Sequence, residues 1–127
     1  MPSTNPKIVV RLSTELDARV AAYAAERRWS YARTVSELLM FAHYTPNMDG
    51  AQLVQRERWV RQRVAQQETT KRPVQRDLKV HPIVKQLVVN GADLHTSRSA
   101  WTSASLEIAL DSADMLQRSL DAQAATA

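Results

Sequence analysis

The chain contains no cysteine, which excludes disulfide bridges and thiolate metal sites. It has only two glycines and five prolines among 127 residues. A Gly-rich phosphate-binding loop is therefore missing, and Ala, Leu, Gln, Glu and Arg dominate instead. That balance favours helix over a multi-stranded sheet. No apolar run approaches the roughly 18 residues of a membrane span. The opening Met1-Pro2-Ser3-Thr4-Asn5-Pro6 lacks the charged-then-apolar order of a signal peptide. These absences set the expectation of a cytoplasmic protein with no membrane partner. Hydrophobic residues make up 44%, enough for a folded core.

Charge is unevenly placed. The formal net charge is +4 and the pI about 9.9. Residues 1–76 hold 13 Lys and Arg against 7 Asp and Glu (+6), and residues 77–127 hold 4 against 6 (−2). A basic first part and a mildly acidic remainder suit a polyanion-binding module followed by a different kind of surface. The three histidines, His43, His81 and His95, lack metal-ligand spacing. No nucleophile motif is present. Asp111 and Asp114 share a helix face, but nothing in the pattern supplies the pocket that an acid–base pair needs. The reading is a non-enzymatic protein with no catalytic residue, no metal and no cofactor.

The most telling stretch is Lys7-Ile8-Val9-Val10-Arg11-Leu12-Ser13. As a strand it puts Ile8, Val10 and Leu12 on one face and Lys7, Val9 and Arg11 on the other. A lone strand leaves its backbone groups unpaired, so it requires a partner. Ser13 and Thr14, with Glu15 and Asp17 behind them, mark a helix N-terminus. The predicted first helix runs to about Arg28, with Leu16, Val20, Tyr23 and Ala24 on its apolar side. Ser30 is placed to cap a second helix over about 31–44, whose inner face is Val35, Leu38, Leu39 and Ala42, with Phe41 beside it. Pro46 and the Asn47-Met48-Asp49-Gly50 run end it in a turn.

A third helix, about 51–68, is basic, with Leu53, Val60 and Val64 as a thin stripe among Arg56, Arg58, Arg61 and Arg63. That arginine run reads either as a solvated face or as a track for backbone phosphates. Residues 69–73 read as a linker and 74–80 as a weakly alternating second strand. A fourth helix opens at Pro82 with Ile83, Val84, Leu87 and Val88, and Asn90-Gly91 is expected to weaken or end it. The last helix, about 99–120, has two apolar rows: Leu106, Ala109, Leu110, Ala113 and Leu116; and Trp101, Ala104, Ile108 and Met115. That width predicts a mostly buried helix. The expected organisation is a flexible arm (1–6), a strand-helix-helix domain (7–46), a basic helix and linker (47–73), a C-terminal helical domain (74–120) and a disordered tail (121–127).

Strand, capped helix, short turn and capped helix within residues 7–44 resemble the ribbon-helix-helix family of DNA-binding proteins. The residues that carry the resemblance are 7–13, Leu16, Val20, Ser30 and Val35-Ser36-Glu37-Leu38-Leu39. They span less than a third of the chain. The fold class it implies is mainly α with one short β-strand pair. The resemblance implies antiparallel strand pairing into a ribbon that enters the major groove of duplex DNA, as a homodimer or higher oligomer on DNA. Lys7, Val9 and Arg11 would then contact bases, and Ser30, Tyr31, Arg33 and Arg28 would contact phosphates. The groove chemistry agrees, since Lys and Arg reach guanine acceptors and Val can meet a thymine methyl. The family often has a glycine in the turn where this chain has Arg28-Trp29. The function implied is sequence-specific transcriptional regulation, or an accessory DNA-binding role in conjugative plasmid transfer. An antitoxin is a third reading, disfavoured because residues 99–120 look like a packed helix.

A shift of 68 positions lays the second part of the chain over the first. Val10 falls on Leu78, Arg11 on Lys79, Leu12 on Val80, Leu16 on Val84, Val20 on Val88 and Leu38 on Leu106. Either residues 75–116 are thus a degenerate second ribbon-helix-helix unit, or residues 77–120 form a helical oligomerisation or partner-binding domain. In the first case the strands can pair within one chain, Val10 meeting Leu78, and Gln75, Asp77 and Lys79 join the groove-facing set.

Overall fold

A computed structural model describes the backbone of residues 5–43, 49–67, 69–93 and 97–126, and their side chains except 92, 93, 115–119 and 126. The order is β1 (Lys7–Leu12), α1 (Thr14–Arg27), α2 (Tyr31–His43), α3 (Gly50–Gln67), β2 (Val74–Lys79), α4 (Pro82–Asp93) and α5 (Arg98–Thr126). The protein is mainly helical, with one two-stranded antiparallel sheet. A strand-helix-helix order thus occurs twice, separated by α3.

β1 finds its partner in β2, 67 residues further on at Val74, in the same chain. The register sets Lys7 against Lys79, Ile8 against Leu78, Val9 against Asp77, Val10 against Arg76, Arg11 against Gln75 and Leu12 against Val74. The expected facing pair of Val10 and Leu78 is therefore corrected: Arg76 lies opposite Val10. The reason is geometric. Antiparallel strands run in opposite senses, so equivalent positions face one another only at the centre of the ribbon. That centre is Val9/Asp77, whose separation is the 68-residue offset itself (77 − 9 = 68).

The alternation works as the period-2 pattern requires. Ile8, Val10, Leu12 and Leu78 are buried, while Lys7, Val9, Arg11, Gln75, Asp77 and Lys79 are exposed. The inner face rests on one core, built from β1, β2 and all five helices. Residues from both strand-helix-helix stretches and from α3 meet in it. Fully burying one leucine such as Leu12, Leu39 or Leu106 contributes about 1.5–3 kcal/mol.

α5 is the axle. It packs against β1, α1, α2, α3 and α4, and every residue from Ala100 to Leu106 is buried. Small side chains (Ala100, Ser103, Ala104, Ser105) let neighbours approach from all sides. Its buried hydroxyls are used: Ser103 donates to the Arg11 carbonyl at 2.9 Å, and Ser105 shares a 2.8 Å hydrogen bond with His43 Nε2. The His43 ring also stacks on Trp101 at 4.7 Å.

Several boundaries differ from expectation. α4 passes through Asn90-Gly91 to Asp93, because a glycine is needed for contact rather than for termination. A Cβ at Gly91 would collide with the Trp101 indole. The tail is helical to Thr126, consistent with an Ala- and Gln-rich stretch free of glycine and proline. Leu53, Ile83 and Phe41 are exposed despite their apolar spacing. The turn residues 44–48, His95 and the side chains of Met115 and Leu116 lie outside the described residues.

Candidate nucleic-acid interface

The outward face of the ribbon carries three cross-strand pairs: Lys7/Lys79, Val9/Asp77 and Arg11/Gln75. The sequence-predicted trio Lys7, Val9 and Arg11 is thus brought together on one exposed surface, joined by the second-strand trio. Two features of this face stand out. Val9 is 53% exposed, and Lys7 sits directly across from Lys79. Facing like charges are destabilising, by roughly 0.2–1 kcal/mol on the scale of such pairs. Near Asp77, Gln75 Nε2 donates to Oδ1 at 3.3 Å.

A helix N-terminus flanks each edge of the ribbon. Beside β2, α2 begins after Ser30, whose Oγ accepts from Arg33 N at 3.1 Å while its carbonyl accepts from Thr34 N at 3.0 Å. The amides of Tyr31 and Ala32 have no intrahelical acceptor and carry the positive end of the helix dipole. Beside β1, α5 begins after Ser97, whose Oγ accepts from Ala100 N at 3.3 Å. Arg98, its first residue, lines a small pocket with Lys7, Ile8, Val9, Lys85, Val88 and Val89. Ser97, Arg98 and Lys85 were not among the sequence-predicted positions. The signal was present, since the 68-residue offset carries Ser30 to Arg98.

The Tyr31 side chain has partners inside the fold. Its hydroxyl donates to Asp17 Oδ1 at 2.8 Å. Arg76 donates to both Asp17 oxygens at 3.1 and 3.2 Å and lies over the Tyr31 ring, 4.5 Å from its centroid. By the offset Arg76 occupies the place of Ile8, an inner-face position (76 − 8 = 68). A guanidinium there needs a carboxylate, and α1 supplies one. Burial alone would raise the Asp17 carboxyl, but the hydrogen bonds from Arg76 and Tyr31 outweigh it and hold its pKa below the ordinary value. Burial, with Asp17 adding to it, pushes the Tyr31 phenol well above its usual range. The bond to Asp17 raises Arg76. The cluster fastens β2, α1 and α2 at one edge of the ribbon.

The other predicted phosphate positions lie at the α1–α2 turn. Arg28 has φ 58° and ψ 38°, the left-handed conformation that glycine adopts more readily. Its amide donates to Ala25 O at 3.2 Å and that of Trp29 to Ala24 O at 3.0 Å, closing α1 in a Schellman motif. Arg33 lies over the Trp29 ring at 4.6 Å, and Arg27 over the Tyr23 ring at 3.4 Å. Stacking holds a guanidinium plane while leaving edge N–H groups to meet an anion.

Elsewhere several charges pair within the fold. Arg19 pairs with Asp111 and Asp114 at 3.0 and 3.3 Å, and Arg63 with Glu107 and Asp111, both at 3.2 Å. Gln67 adds a 2.8 Å bond to Glu107. Asp111 and Asp114 therefore hold α1 and α3 on α5. Arg63 leaves the arginine run to do so, and Arg61 pairs with Glu57 on its own helix at 3.3 Å.

No protein-family model, curated protein or solved structure matches the chain. No helix among the described residues is long and apolar enough to cross a membrane.

Proposed function

We propose that this chain is a sequence-specific double-stranded DNA-binding protein of the ribbon-helix-helix type, with both strand-helix-helix units in one polypeptide. The observation that carries the reading is the β1–β2 ribbon, with Lys7, Arg11, Gln75, Asp77 and Lys79 outward, an inner face that is hydrophobic apart from Arg76, and a serine-capped helix N-terminus at each edge. A two-stranded ribbon fits a major groove about 12 Å wide. Helix N-termini on both sides suit the two phosphate backbones that border it. Arg28, Arg33, Lys85 and Arg98 extend the cationic margin. Because the ribbon closes within the chain, one molecule carries the whole reading surface, and a homodimer is not needed to build it.

Transcriptional regulation and the marking of a plasmid transfer origin both use this binding chemistry. The antitoxin reading is weakened by α5, whose residues 100–106 lie in the core rather than along a segment free to wrap a toxin. The test is footprinting on the DNA flanking the protein's own gene at two salt concentrations. A protected site whose affinity falls steeply with salt is expected. Failure to retain any duplex at low salt would refute the reading.

A further inference from the structure

Resting on that reading, we infer that the duplex this chain selects is non-palindromic, bound by one chain in one fixed orientation, with a cytosine under Asp77 at the centre of the site. A ribbon made of two identical strands places identical residues at its centre and repeats the same readout on either side. This ribbon does neither. Its centre faces valine against a carboxylate. Two residues to one side stand two ammonium groups, Lys7 and Lys79; two residues to the other stand a guanidinium and an amide, Arg11 and Gln75.

These ends address different base edges. Arginine forks onto guanine O6 and N7, glutamine pairs with adenine N6 and N7, and a lysine reaches guanine acceptors as a point charge. The scaffold behind them is asymmetric as well. Lys85 and Arg98 gather beside Lys7 at the β1 edge. At the β2 edge the equivalent inner position holds Arg76, sealed to Asp17 and Tyr31.

Asp77 makes the sharpest demand. An ionised carboxylate only accepts hydrogen bonds, and the major groove offers donors at cytosine N4 and adenine N6 alone. Guanine and thymine present acceptors, which repel it. Adenine places acceptor N7 beside its donor, leaving cytosine as the edge a carboxylate fits best. The Gln75 amide steadies Oδ1, and Val9 across the ribbon supplies an apolar contact for a methyl. A palindrome would offer both strands the same central step, which suits one of these two residues and not the other.

Selection of the full chain on a random duplex library tests this. One directional motif with cytosine at its centre is expected, bound one chain per duplex. Asp77→Asn, at an exposed position, should keep the fold by circular dichroism, bind the original site roughly tenfold or more weakly and move the central choice to adenine, with the flanks unchanged. A palindromic motif, two chains per site, or an unmoved central base in Asp77→Asn would overturn the inference while leaving DNA binding in place. Enrichment of no duplex would instead bring down the DNA-binding reading, and the inference with it.

Discussion

Gly91 offers a sharp test of how the core is packed. In an ordinary helix interior, Gly→Ala stabilises by about 1 kcal/mol, because alanine has the better propensity. Here the added methyl would overlap Trp101 Cε2 and Cζ2 and lie 2.6 Å from Nε1. The indole has little room to yield, being 3% exposed with His43 stacked on its face. Overpacking of this kind costs about 1–3 kcal/mol and sometimes more, and an overlap with two ring carbons belongs at the upper end of that range. Gly91→Ala should therefore destabilise by about 2 kcal/mol net, read as the urea midpoint by circular dichroism. The effect should depend on the indole. In a Trp101→Leu background, itself costing less than the ~3–5 kcal/mol of truncation to alanine, Gly91→Ala should turn neutral or stabilising. The double-mutant cycle would then show a coupling of about 2–3 kcal/mol. A stabilised Gly91→Ala single variant, or no coupling, would refute the packing argument.

Three further outcomes are expected. Arg11→Ala should weaken binding to the selected duplex by about 1–3 kcal/mol and relax base choice at one end of the site, measured by fluorescence anisotropy; unchanged affinity would end its base-reading role. Arg28→Gly should raise stability by about 1 kcal/mol, since it relieves a left-handed residue that carries a Cβ; a lower urea midpoint would contradict this. Its duplex binding should weaken similarly for all sequences as a cation is lost. For Asp17 the sign follows from its lowered pKa: its contribution is present above the ordinary carboxylate value of 3.8 and is lost as pH falls through the folded value. With Asp17 18% and Arg76 42% exposed in their side chains, solvent screening limits the pair to about 1 kcal/mol. Asp17→Asn should thus be less stable than the parent at pH 7, and the gap should close below about pH 4; a gap independent of pH would exclude the ionic cluster as its source.

What the chain reveals in one dimension depends on how local the cause is. The alternation of residues 7–12 was legible because a period of two needs no knowledge of the partner. The caps Ser13 and Ser30 were legible because a cap acts within three residues, as the 3.1 Å bonds to Leu16 N and Arg33 N show. The 68-residue offset left open whether the ribbon closes between two chains or inside one, and the β1–β2 pairing takes the second course. What the offset could not convey was direction. Antiparallel pairing reverses it and puts Arg76, not Leu78, across from Val10. The other surprises share a long-range cause. The place of Tyr31 at the start of a helix was legible, but its side-chain partner was not. Its hydroxyl meets Asp17 from 14 positions earlier (31 − 17 = 14), and its ring meets an arginine 45 positions later (76 − 31 = 45). Gly91 looked like a stop because glycine usually ends helices, yet it is held by an indole arriving from the next helix. Arg63 looked solvated until Glu107 and Asp111 came beneath it. The cations that remain on the ribbon, Lys7, Arg11 and Lys79, differ from these in one respect: the fold gives Lys7 and Lys79 each other to face and Arg11 an amide. The proposal of a DNA partner therefore starts from the ribbon, where Lys7 faces Lys79 and Arg11 faces Gln75 about a central Asp77, rather than from overall charge.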